Sequence, residues 1–345
     1  MPKKKKRDQG HINADKELKK YERELKAQYQ KAYLSMRKEA DKYFVKFEAG
    51  QKKMLEKLDK GEITNEQFIQ WYNSTVTQNR KYDDLVHTLA QEMDQTNRMA
   101  RDMMTGHMAE IYADNYNRAG YELCKDVGAN LQFDLVDRRT VEKLIRDGDK
   151  KLLPPPKYPN RHKDTRWNEK KIRSAMTQGI LRGDSVDKIA QRLKSVTNMN
   201  ETASVRTART LATQAECAGR QERWEEAEEK YHIEMQKTWL ATLDDRTRDW
   251  HAELDGESVD LDQPFENSVG KIMYPCDPDA DAENIYNCRC TMITSIKKFP
   301  RDLSSRQMGG NINNLSYDQW KKEATERAEE RAERRRSKHA SDDDD

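Results

Sequence analysis

Between Asp15 and Phe47 the larger or apolar side chains fall at Leu18, Tyr21, Leu25, Tyr29, Ala32, Met36, Ala40, Tyr43 and Phe47, in steps of three and four only. The mean step is about 3.6 residues, the period of a straight α-helix rather than the 3.5 of a left-handed coiled coil. At about 1.5 Å per residue such a helix reaches roughly 50 Å. Lys, Glu, Arg and Gln cover its other faces, so its one apolar stripe must lie on other helices or on a partner.

More helices follow. Gly61 punctuates the chain, and Thr64 with Gln67 forms a capping box opening a helix through Phe68, Ile69, Tyr72 and Val76. A further stretch carries Leu85, Val86, Leu89 and Met93, then Met103, Met104, Met108, Ile111 and Tyr112. Its methionines read as filler between thinly packed helices rather than as an adaptable binding surface. Leu152-Leu-Pro-Pro-Pro-Lys-Tyr-Pro159 interrupts this pattern, because consecutive prolines neither continue a helix nor donate to a sheet.

The second part begins near Trp167. Gly183-Asp184-Ser185 starts a helix with Val186, Ile189, Ala190 and Leu193 on one face and Asp184 as the expected N-cap. Another helix runs through Val205, Ala208, Ala212 and Ala215 into the acidic stretch from Glu222 to Glu229. Then the period changes. Ile233, Met235, Trp239, Ala241 and Leu243 take odd positions with His232, Glu234, Gln236 and Thr238 between them, the alternation of a half-buried strand. Thr247 to Leu254 reads as a short helix stopped by Gly256, and Asn287 to Ile296 as a second strand.

The expected fold is therefore mainly α, with long N-terminal helices and a small C-terminal α+β domain whose short β-sheet lies near residues 232–296. The expected division is an extended helical region over 1–150, a Pro-rich linker over 151–164, the α+β domain over 165–297 and a charged C-terminal tail over 298–345. In that tail Lys321 to Lys338 reads as a solvated helix, followed by a disordered acidic end.

Charge and cysteine narrow the class. Charged residues make up 37% of the 345 and hydrophobic ones 34%, so the cores are thin, while 64 basic against 62 acidic residues leaves a net +2 that selects no partner. No apolar run approaches the roughly 18 residues a spanning helix needs, which excludes an integral membrane role. Met1-Pro-Lys-Lys-Lys-Lys-Arg7 looks like the front of a signal peptide, but Asp8-Gln-Gly-His follows where an apolar segment should start. The expectation is a protein made and kept in the cytoplasm or in something assembled there, with its five cysteines as reduced thiols.

The densest block of unusual residues is TWLATLDDRTRDWHAELDG at 238–256, followed by YPCDP at 274–278 and NCRC at 287–290. These blocks resemble the signature of the phage Mu F-like minor head proteins, a family of head morphogenesis proteins of tailed phages. The matching positions are Trp239, Asp244, Arg246, Thr247, Arg248, His251, Leu254, Asp255, Gly256, Pro275, Asp277, Pro278, Asn287, Cys288, Arg289 and Cys290. Upstream, GILRGDSVDKIAQRL (179–193) and RTARTLATQAECAG (206–219) resemble the paired helices of that family, so the resemblance covers roughly residues 165–297.

Three chemistries are candidates, two of them in these blocks and one in the basic arms. His251, Cys276, Cys288 and Cys290 offer imidazole and thiolate for a tetrahedral zinc, which would contribute on the order of 10 kcal/mol to a domain with little core. The bland alternative, buried unliganded thiols, is preferred, because a Cys-x-Cys pair on a strand is not the commoner Cys-x-x-Cys knuckle. A hydrolase or toxin-like effector centre would use His251 with Asp244, Asp245, Glu253 and Asp255. Against it, Arg246 and Arg248 are expected to pair with nearby carboxylates while His251 faces inward, and no Gly-rich phosphate loop, Gly-x-Ser-x-Gly or His-Glu-x-x-His occurs. Lys3, Lys4, Lys5, Lys6 and Arg7, with Arg334-Arg-Arg336, could hold nucleic acid by phosphate contacts or serve as solubilising arms.

What the resemblance implies is a non-enzymatic virion structural protein, a minor head component at the head interior or portal vertex, present in host cytoplasm during assembly. The implied partners are the portal protein and the major capsid protein, with packaged DNA as a further candidate and no membrane. The apolar stripe of the first helix, with Leu18, Leu25, Met36 and Phe47, suits a groove between subunits.

Overall fold

The structure, a computed structural model, describes residues 9–77, 79–148, 163–300 and 314–342, with Leu152, Pro155, Pro156, Met308, Gly309 and Ile312 from the segments between. Lys3 to Arg7, most of the proline strap and the last three aspartates lie outside the described residues. The described residues are 70% helical, with long N-terminal helices and a few short antiparallel strands toward the C-terminus. It forms two compact units, and neither is continuous in sequence. One takes the described residues of Lys20–Met104 and Pro155–Thr207, the other those of Met1–Lys19, Thr105–Pro154 and Ala208–Asp345.

The helices are longer than their sequence signals. α1 spans Gln9–Asp59, α2 Asn65–Thr77 and α3 Arg80–Val127. Within the 20–104 and 155–207 unit, Tyr21, Leu25, Tyr29, Ala32, Met36 and Ala40 of α1 are at most 2% exposed. Their polar tips are satisfied there too. Tyr21 donates to the Ala100 carbonyl at 3.0 Å, and Tyr29 donates to Asn97 Oδ1 at 2.6 Å and meets Ser204 Oγ at 2.7 Å. The stripe that suited a groove between subunits is thus covered by the chain itself, because tyrosines at helical spacing find hydrogen-bonding partners on neighbouring helices. Thr64 and Gln67 close the capping box reciprocally at the start of α2, at 2.9 and 3.2 Å.

After β1 (Asn130–Leu131) and α4 (Arg138–Asp147), α5 (Thr165–Leu181) returns to the same unit as most of α1, where a buried amide ladder joins α3 through α6 to α5. Asn97 donates to Asn200 at 3.1 Å and Asn200 to Asn168 at 2.9 Å. The two helices expected after Gly183 are one, α6 (Val186–Tyr231). It begins one residue after Ser185, so Asp184 is not its cap but pairs with Arg192 at 2.7 Å.

The other unit holds the sheet. β2 (Glu234–Leu240) lies between β3 (Ser258–Asp260) and β6 (Thr291–Lys298), antiparallel to both. Around them stand α7 (Asp249–Ala252), the hairpin β4 (Phe265–Glu266) with β5 (Lys271–Ile272), and α8 (Ala282–Ile285). The end of α6 grips this module through buried polar side chains. Arg220 donates to the Met292 carbonyl at 2.8 Å, and Gln221 donates to the Leu261 carbonyl at 3.0 Å.

Past Pro300 the chain does more than trail off. β7 (Met308–Gly309) pairs with β1, and α9 (Tyr317–Asp342) opens with Trp320 fully buried, its indole N–H on Asn130 Oδ1 at 3.1 Å. The helix expected to be solvated from Lys321 onward is anchored near its start by this tryptophan and by Ala324.

Candidate functional site

Strand alternation builds the floor of the site. On β2, Met235, Lys237 and Trp239 point inward, and Trp239 packs edge-to-face on His251 (ring centroids 5.4 Å apart) and on Phe265 (5.3 Å). Leu254, Ile272, Cys276, Cys288 and Cys290 complete this core. The same alternation buries Lys237, which the sequence reading passed over although it occupies an inward odd position. Burial pushes its ammonium down to about 8, with Glu225, Asp277 and Asp262 acting against that shift.

The Asp-x-Arg-Thr-Arg segment is a polar turn. Asp244 accepts the Arg246 backbone N–H at 3.0 Å, the local pattern of an Asx turn. Both its oxygens take the Arg289 guanidinium at 2.6 Å, and this clasp holds its carboxyl well below the usual range. Arg246 lies farther from Asp244, at 3.7 Å, and Arg248 donates to the Tyr286 carbonyl rather than to a carboxylate. Thr247 donates to the Thr242 carbonyl. Asp255 accepts the Ala241 N–H at 3.0 Å, and Gly256, at φ +86°, places its N–H on the Trp239 carbonyl at 2.9 Å. That left-handed step returns the chain to pair as β3, a backbone geometry glycine adopts without strain.

Asp277 stabilises the YPCDP loop by accepting the N–H groups of Met273 and Asp279, each at 3.0 Å, before Pro278. The strand expected from Asn287 starts only at Thr291. Asn287 has φ +59°, which no strand accommodates, and the NCRC segment is held by α6 instead. Asn287 donates its N–H to Thr210 Oγ1 at 2.8 Å, and Thr213 donates to the Cys288 carbonyl at 3.0 Å.

These segments converge on one point. His251, Cys288 and Cys290 are all buried, and their ligand atoms lie within 4.8 Å of one another. His251 Nδ1 stands 3.5 Å from Cys288 Sγ and 3.7 Å from Cys290 Sγ, while the Cys290 N–H points at Cys288 Sγ from 3.4 Å. Cys276 shares this core outside the three-residue group, and its thiol donates to the Ile285 carbonyl at 3.2 Å. Its backbone is left-handed, φ +64°. The Cys288 thiol is pushed up by its hydrogen bond with Cys276, that of Cys290 by its hydrogen bond with Cys288, and both by burial.

A hydrolytic centre at His251 requires the imidazole or its carboxylates to face a cleft. His251 is 1% exposed behind Trp239, and Asp244 and Asp255 serve the turn. Asp245 and Glu253 are exposed and do not join the histidine in the buried cluster.

Residues 170–293, which contain His251, Cys276, Cys288 and Cys290, match the family described as Phage Mu protein F like protein. Over 276 residues the chain is 29% identical to the minor head protein GP7 of Bacillus phage SPP1, covering 79% of this chain and 85% of that protein. It is also 33% identical over 143 residues to the NAD(+)--arginine ADP-ribosyltransferase EFV of Enterococcus faecalis, a match to 41% of this chain but only 29% of that enzyme. An uncharacterized protein of Haemophilus influenzae is 29% identical over 123 residues, 24% of its length. No solved structure matches. Residues 170–293 thus carry a phage Mu F-like domain, in a chain similar along 79% of its length to a phage minor head protein.

Proposed function

We propose that this protein is built into the phage head during assembly, where it contacts the portal protein and the inner face of the major capsid protein. The observation that carries the reading is the likeness to a minor head protein along 79% of the chain, a match too long to be confined to the Mu F-like domain. The relative that is an ADP-ribosyltransferase shares less than half of this chain. A structural role also fits the burial of His251, which has no access to a substrate.

With the Tyr21 to Ala40 stripe covered internally, adhesion falls to other surfaces. On α1 the exposed Leu34 and Val45 stand eleven residues apart, about three helical turns, and so share a face. The test is co-expression of the full chain with the portal and major capsid proteins of the same phage, followed by mass spectrometry of purified proheads. Incorporation, reduced by Leu34→Glu with Val45→Glu, is expected. Proheads that assemble normally and contain none of the protein would refute the role.

A further inference from the structure

We propose that His251, Cys288 and Cys290, completed by Cys276, form a structural zinc site that staples the turn of α7, the YPCDP loop and the start of β6 together. It is independent of the head-assembly reading.

The distances come first. A tetrahedral zinc with Zn–S about 2.3 Å and Zn–N about 2.0–2.1 Å sets sulfur and nitrogen about 3.6 Å apart. The two Sγ···Nδ1 separations here are 3.5 and 3.7 Å. Two sulfurs thus converge on one ring nitrogen, which has a single in-plane lone pair. A thiol proton can use that lone pair from Cys288 or from Cys290, not from both. One cation placed between the three atoms satisfies all of them.

The histidine tautomer follows from the hydrogen bonds behind it. Asn267 Oδ1 accepts the backbone N–H groups of Val269 and Gly270, at 2.9 and 3.1 Å, which fixes that amide's orientation. Asn267 Nδ2 therefore donates to Asn284 Oδ1 at 3.0 Å. The same Asn284 oxygen lies 3.3 Å from His251 Nε2, so the imidazole must donate there. The proton sits on Nε2, and the bare Nδ1 faces the sulfurs. A buried amide oxygen orienting a histidine through its distal nitrogen is the usual support behind a metal-bound imidazole.

The sulfurs are prepared as well. The Cys290 N–H is directed at Cys288 Sγ from 3.4 Å, which fixes the position of that sulfur beside His251. Cys276 adopts a left-handed backbone that a β-carbon disfavours, a strain of the kind kept where a side chain is needed. Its thiol lies outside the three-residue group and now donates to the Ile285 carbonyl, and rotation away from that carbonyl would supply the fourth ligand. Phe265 and Trp239 close the site to water, which marks it as structural rather than catalytic.

The test starts from the unaltered full chain, purified without chelator and analysed by inductively coupled plasma mass spectrometry. About one zinc per chain is expected. Cobalt exchanged for it should give the intense visible bands of a four-coordinate ion together with thiolate charge-transfer absorption. Cys288→Ala and Cys290→Ala should lose the metal, and Cys276→Ser should lose the four-coordinate cobalt spectrum of a three-sulfur site. Cys124→Ala, at a buried cysteine outside the cluster, should retain zinc. Asn284→Ala keeps every ligand and should weaken zinc binding about 10–100-fold. A metal-free chain that takes up no zinc, with melting indifferent to chelator, would overturn the proposal, as would full zinc content in both Cys288→Ala and Cys290→Ala.

Discussion

His11 Nδ1 lies 2.9 Å from the carboxylate of Glu216, a buried contact that ties the first turns of α1 to α6 across 205 positions of sequence. Thr291 donates to the same carboxylate at 2.5 Å, and Arg220 stands 3.5 Å away. Burial opposes the charged imidazole, yet Glu216 outweighs it and holds His11 above 6.5, with Asp15 adding to the shift and Arg220 subtracting. Burial likewise opposes the Glu216 carboxylate, and His11 and Arg220 outweigh it and hold it below 4.5. The stabilisation is therefore full between about 4.5 and 6.5, fades as pH rises through the raised His11 value, and fades as pH falls through the lowered Glu216 value. His11→Ala should cost on the order of 3 kcal/mol inside that window and flatten the alkaline limb. Denaturant melts across pH check it, and parallel profiles for variant and wild type would count against the pair.

Lys237 makes the opposite demand. Its Nζ has no hydrogen-bonding partner among the described residues and lies 5.6 Å from the centroid of the Phe265 ring. The folded protein binds this proton less tightly than the unfolded chain, so stability should rise between pH about 8 and about 10.5. Lys237→Met should be neutral or stabilising by about 1–4 kcal/mol below that window, and the gain should shrink above it. A variant equally destabilised on both sides would show that the ammonium is needed.

Trp320 decides whether the last helix is a tail or part of a core. Tyr317 stacks on its ring at 6.1 Å and Tyr121 leans on it at 5.7 Å. Trp320→Ala should lower stability by about 3–5 kcal/mol, as measured by chemical unfolding. An unchanged midpoint would return α9 to the solvated helix its charges suggest.

The capping box of α2 is a local test. Thr64→Ala leaves the Gln67 N–H without its side-chain acceptor and should cost about 1 kcal/mol, confined to that helix. Hydrogen exchange should quicken at the first turn of α2, and unaltered protection there would argue that tertiary packing alone holds the helix end.

Much of this was legible because short-range physics decides it. The α1 stripe, the Thr64 box and the inward Trp239 follow from spacing alone. The anchoring of α9 was hidden because a single tryptophan before a run of Lys, Glu and Arg carries no period. Arg223 was hidden for a related reason. It stands among glutamates, which reads as solvent-facing, yet it is fully buried with its guanidinium over the rings of Tyr116 and Phe133. The cluster at His251 was visible as a list of ligand types but not as a place. Its histidine and cysteines come from separate turns, and only the left-handed steps at Cys276 and Asn287 aim them together.

Thr210 and Thr213 hold the NCRC segment by its own backbone, so the donor for any graft of the small sheet is not the sheet alone. A fragment cut at the end of α6 would bare the Cys288 carbonyl, the Asn287 amide and the Met292 carbonyl to solvent, and would leave the cysteines without the scaffold that aims them. The smallest transplantable piece begins inside the long helix, upstream of Thr210.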